Sequence, residues 1–152
     1  MKNNKGFSLV ELIIVIAIMA ILVGVMAPQL IKYIEKANAS ADAQLADTVH
    51  SAVIDAALDP EVATASTPGI PTAPVNIIGS PWTTGTSPFE TAVCEILGVT
   101  STATLSTSLK SNGPHNNISV TISGNNVTVV LPGTDSRGSK AASGYEITVP
   151  KP

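Results

Sequence analysis

With one cysteine, Cys94, in 152 residues, the chain cannot close an intramolecular disulfide. Small exported domains often rely on such cross-links, so this one must rely on its core and its neighbours. Cys94 itself reads as a small buried hydrophobe on a helix. Charged residues make up 12% of the chain, about half the ordinary share. Lys and Arg number 8 against 11 Asp and Glu, a net charge of −3, and no basic cluster lies beyond Lys36. That excludes the electrostatic footprint of a nucleic-acid binder. Neither His50 nor His115 has a second His, a Cys or an acid at metal-ligand spacing, so no metal and no cofactor is expected. Asp135-Ser136-Arg137 reads as a solvated loop rather than a catalytic or cell-binding tripeptide, and no enzymatic constellation stands out. Three Asn-x-Ser/Thr triplets, at Asn38, Asn117 and Asn126, match the glycosylation acceptor pattern. In a chain this rich in Asn, Ser and Thr, chance accounts for them.

What the chain does have is apolar residues concentrated at its start. Residues 1–6 are polar and include Lys2 and Lys5; the apolar run then extends from Phe7 to Ile31, with Glu11 its only charge. As a helix that run rises about 37 Å, against a hydrocarbon core of about 30 Å, so it can span a bilayer. Lys2 and Lys5 favour a cytoplasmic N-terminus, with everything after Lys32 outside. The run is too long for a secretory signal, and its best cleavage candidate ends at Ala27, directly before Pro28. A plain membrane anchor would not need Glu11. A carboxylate at mid-bilayer costs about 2.5–3.5 kcal/mol, and although Glu11 sits only one turn inside, it still calls for a partner.

The segment Lys5-Gly6-Phe7-Ser8-Leu9-Val10-Glu11-Leu12-Ile13 resembles the processing site of type IV prepilins. The resemblance covers roughly the first 40 residues. It implies cleavage between Gly6 and Phe7 by a prepilin peptidase, which also N-methylates Phe7. It further implies that Glu11 is the glutamate found five residues into mature pilins, and that Gly24 and Pro28 fall where many pilins weaken the helix. The expected function is that of a structural subunit of an extracellular type IV pilus serving adhesion, motility or surface colonisation. Its expected partners are further copies of the chain in a helical filament, the peptidase, an inner-membrane assembly platform, and lipid before assembly. A pseudopilin of a type II secretion or competence system is the alternative within the superfamily. A monomeric bitopic surface binding protein is the alternative outside it. The missing cysteine pair departs from the C-terminal disulfide loop common in Gram-negative pilins. Physical reasoning supports the pairing: cleavage frees an ammonium at Phe7 inside an apolar bundle, and a buried charge needs an opposite one. Glu11 of the same chain is one helical turn away; Glu11 of an adjacent, staggered subunit would neutralise it and also set the axial register.

Beyond the span, Leu30, Ile34, Ala37, Ala41, Leu45, Val49, Ala52, Val53 and Ala56 recur at three- and four-residue steps, one apolar stripe of a helix. Lys32, Glu35, Lys36, Asp42, Asp47 and Asp55 lie mostly off it. A helix from Phe7 to about Leu58 would be about 78 Å long, too long for this domain to cover. Pro28 and Gly24 predict a kink or local melting over 21–28. The expected organisation is a leader over 1–6, a transmembrane and filament-core helix over 7–31, its continuation over 32–58, and an exposed domain over 59–152. Residues 59–86, rich in Pro, Thr and Gly, read as an extended connection, with Trp82 as a core anchor. Ser87-Pro88-Phe89-Glu90 has the form of a capping box, predicting a helix over 88–97 that buries Phe89, Val93, Ile96 and Leu97 and stops at Gly98. Residues 100–112 are ambiguous. Alternation predicts strands near 117–123, 127–131 and 145–149, with a turn at Gly124-Asn125-Asn126. The expected fold is α+β and pilin-like: a long N-terminal helix, kinked near Pro28, packed by its C-terminal half on a small antiparallel sheet.

Overall fold

The computed structural model describes residues 7–110, 118–124, 126–131 and 147–149. The expected leader, the loop carrying Asp135-Ser136-Arg137, His115 and Tyr145 lie outside them. The chain divides into two units, Met1–Lys36 and Ala37–Pro152. Helix α1, Leu9–Ala57, supplies residues to both. It is helical across residues 21–28, with Pro28 inside it.

Among the described residues of the first unit, 7–36, every one is exposed, and α1 supplies all of them from Leu9 on. Leu9, Ile13, Ile16, Leu22 and Ile31 are all exposed, and α1 is the one helix among the described residues long and apolar enough to cross a membrane.

In the second unit, α1 buries Asp42, Ala46, Val49, Ala52, Val53 and Ala56, again at three- and four-residue steps. The stripe is rotated from the expected one: Ala41 and Leu45 lie at its half-buried edge, and Asp42 falls inside it. This corrects the placement of Asp42 on the polar side. Its carboxylate accepts the Lys110 backbone N–H at 2.7 Å, and that bond compensates for burying the acid.

The connection after α1 is more structured than its composition implies. Asp59 accepts the Glu61 N–H at 2.7 Å and caps a short helix, α2 (Pro60–Thr64), with Pro60 in its first turn. Further on, β1 (Val75–Asn76) pairs with β2. Trp82 is buried as expected, and its ring meets that of Phe89 edge-on, 5.5 Å between centroids.

Helix α3 spans Pro88–Leu97. Ser87 Oγ accepts the Glu90 N–H at 3.2 Å, and the chain leaves the helix through left-handed Gly98 (φ 68). Gly98 N–H reaches Glu95 O and Val99 N–H reaches Cys94 O, a Schellman ending. Gly69 (φ 78) allows the preceding loop to pass over the cap, where an added Cβ would lie 2.5 Å from Ser87 Cβ. The buried face of α3 is Phe89, Val93 and Cys94; Leu97 is half-buried and Ile96 is 48% exposed. Ile96 is therefore corrected from core to border. The ambiguous stretch forms a 3-10 helix, Thr102–Thr107. Buried Thr102 locks it in place: its hydroxyl donates to Ile77 O and accepts the Trp82 N–H at 2.9 Å.

Among the described residues the sheet has four antiparallel strands in the order β1-β2-β3-β4, where β2 is Ser119–Ser123, β3 Asn126–Leu131 and β4 Ile147–Val149. Asn126 pairs with Ser123, so it belongs to β3 rather than to the turn. Val120 opposite Val129 and Ile122 opposite Val127 put buried pairs on one face. That face joins Ile77, Ile118, Phe89, Val93 and the α1 residues Val49 and Val53 in one core. His50 on α1 bonds to Val127 O at 3.1 Å beside it. An α+β arrangement, with a long helix and a small antiparallel sheet, is what the structure shows.

Cys94 is fully buried, and its thiol points at Trp82 O, 3.5 Å away. Burial pushes the thiol's pKa up, the nearby Glu90 carboxylate adds to this, and a backbone hydrogen bond at Thr102 opposes it. Because the folded value is raised, this group favours folding less as pH rises above the unfolded thiol's range, about 8.5. Thiol alkylation at pH 8 is expected to be slow in the native protein and fast in denaturant. Equal rates measured by mass spectrometry would contradict the buried placement.

Candidate functional site

The sequence places its candidate residues at the start of α1. Phe7 and Ser8 precede the helix, and Phe7 is 93% exposed. Glu11 lies in the first turn, where a carboxylate opposes the positive end of the helix dipole. It also does something the sequence reading did not assign: Glu11 Oε2 accepts the Ser8 backbone N–H at 2.9 Å. Leu12 N–H donates to Ser8 O at 3.2 Å, so Ser8 is the N-cap. The signal was present as Ser8-x-x-Glu11, the capping-box spacing. Gly24 and Pro28 lie further along the same apolar helix, and a Cβ built on Gly24 would meet nothing within 4 Å. Gly6 is outside the described residues.

The second unit offers little chemistry by comparison. A cleft of about 330 Å³ between α2 and the start of α3 is edged by Asp59, Glu61, Thr86, Thr91 and Glu95. Among the described residues no group of three or more His, Cys, Asp or Glu is placed to hold a metal.

Residues 1–27 match the prokaryotic N-terminal methylation motif. Over a short stretch the chain is also similar to a type IV pilin. Over 38 residues it is 55% identical to the type IV wide pilus major component PilA4 of Thermus thermophilus. That stretch is 25% of this chain and spans 29% of the relative's length. No solved structure matches the chain. The likeness therefore rests on residues 1–27 for the motif and on 38 residues for the relative.

Proposed function

We propose that the chain is the structural subunit of an extracellular type IV pilus, cleaved between Gly6 and Phe7, methylated at Phe7 and assembled through its apolar helix. The observation that carries this reading is the start of α1: an apolar helix whose residues 9–36 are all exposed, with an acid in its first turn. Such a surface needs lipid before assembly and other copies of the helix afterwards. In this reading residues 7–31 span the membrane with the N-terminus inside and then form the filament core. Residues 32–58 continue the helix, and 59–152 face outward. Glu11 pairs with the Phe7 ammonium of a neighbouring subunit. Gly24 and Pro28 let the helix bend or unwind as it packs. A prepilin peptidase and a membrane assembly platform are the partners. The relative, matched over 38 residues, is described as a wide-pilus major component; a pseudopilin of a type II secretion or competence system is the alternative reading.

The test is to shear surface filaments and sequence their subunits from the N-terminus. The expected start is methylated Phe7. A retained Met1, or a start near Pro28, would reject the reading. A stable monomer with no fibre would favour a surface binding protein instead.

A further inference from the structure

Residues 12–31, twenty in all, carry no charge and lie wholly within α1. A helix of about 20 residues rises about 30 Å, the thickness of a bilayer's hydrocarbon core. Where this stretch ends, α1 changes character without breaking. Gln29, Lys32, Tyr33 and Lys36 are all exposed, Tyr33 by 67%. At about 100° per residue these four share one side of the helix, within about 100° of arc. Leu30, Ile31 and Ile34 hold the opposite side, and Glu35 lies outside the polar arc. Neither lysine has an ion pair among the described residues.

We propose that Lys32, Tyr33 and Lys36 form an interfacial anchor that binds the phosphates of anionic lipid headgroups where α1 leaves the membrane, and so sets the depth of the unassembled subunit. The inference rests on the proposed span over residues 7–31. With residues 12–31 filling the hydrocarbon, Lys32 and Tyr33 fall at the headgroup level. A lysine there lays its stem along the apolar helix and directs its ammonium, with three donors, into the phosphates. A tyrosine keeps its ring in the apolar layer and its hydroxyl in water, which is why tyrosines collect at membrane interfaces. Lys32 and Lys36, one turn apart on the same side, present two cations to one patch of headgroups. The acids of the second unit on another copy of the chain are the other anionic surface available. Lipid is favoured because Lys32 directly follows Ile31, the last residue of the apolar run.

The experiment reconstitutes the full chain in phosphatidylcholine vesicles carrying a trace of spin-labelled phosphatidylglycerol or spin-labelled phosphatidylcholine. Electron spin resonance measures how much of each probe is immobilised at the protein. Wild type is expected to prefer the anionic probe. The double variant Lys32→Gln with Lys36→Gln should lose up to about fivefold of that preference per lysine. The Lys→Arg pair should keep it, and Lys110→Gln, on the second unit, should leave it unchanged. Equal preference in wild type and the double Gln variant would overturn the proposal. If that variant also fails to form filament, the lysines belong instead to a contact with another copy. Depth is read separately by NMR, in nanodiscs holding a lipid with gadolinium chelated at its headgroup. Amide broadening is expected to be strongest near Glu11 and Tyr33 and weakest near Ile21. Uniform broadening over residues 12–31 would reject the span, and with it the proposed function. That contrast without a preference for the anionic probe would reject the anchor alone.

Discussion

Glu11→Ala is expected to abolish sheared surface filament while leaving the subunit in the membrane. Removing an acid from an apolar span makes insertion easier, so subunit abundance should not fall. Two interactions are lost together. The first is the hydrogen bond to Ser8 N–H, 2.9 Å in the single chain. A helix cap is worth about 1 kcal/mol, which frays one turn and leaves the rest of a long helix formed. The second is the proposed pair with a neighbour's Phe7 ammonium. Leaving one member of a buried pair unmatched costs about 3–5 kcal/mol. At about 1.4 kcal/mol per tenfold, that weakens each subunit's addition by hundreds to thousands. The pairing therefore outweighs the cap, and growth should fail with subunits plentiful. Glu11→Gln separates the two, since it retains the acceptor and should still fail to assemble. The measurement compares membrane subunit with sheared filament by immunoblot. Wild-type filament yield from Glu11→Ala would show that Glu11 has no pairing role.

The parts of this fold legible in the sequence are those where neighbours in the chain settle the matter. The apolar run over 7–31 predicts an exposed membrane-length helix because its composition leaves no alternative. Val120 and Ile122, alternating with Ser119, Thr121 and Ser123, predict the strand now seen as β2. Ser87, Pro88 and Gly98 carry both ends of α3 in local chemistry. What could not be read depends on distant partners or on one residue serving two roles. Asp42 looks like a surface acid until Lys110, far along the chain, brings its N–H to it. Asp59-Pro60 reads as the stop of α1, yet the same pair caps and starts α2. Val75 and Asn76 become a strand only because β2 is beside them. At the N-terminus the capping-box spacing of Ser8 and Glu11 was visible. The same glutamate also answers a second demand, a partner for the Phe7 ammonium, so the spacing alone does not say which role it serves.

Truncated to Ala37–Pro152, the chain is expected to fold alone and melt cooperatively, and Phe89→Ala is expected to lower that transition by about 10–25 °C. The unit has its own core, with Phe89 fully buried within it. The ring packs edge-on against Trp82, near Val93 and Cys94 of its own helix, while its N–H holds Pro68 O at 3.1 Å. Deleting it removes the apolar transfer energy and opens a cavity under the only tryptophan, a cost of about 3–5 kcal/mol. A domain of this size has roughly 5–15 kcal/mol in total, so the variant sits near its threshold at 37 °C. The shift in Tm follows from the unfolding entropy of a chain this long. Ile96→Ala on the same helix is the control. Ile96 is 48% exposed, so its truncation should cost about 1 kcal/mol or less. Helix propensity favours Ala at both positions, so the contrast isolates packing. Thermal melts followed by tryptophan fluorescence and circular dichroism measure both variants. Equal shifts for the two would show that α3 does not bury the face containing Phe89, Val93 and Cys94. A truncated wild type with no cooperative transition would show that the second unit needs the apolar helix to fold.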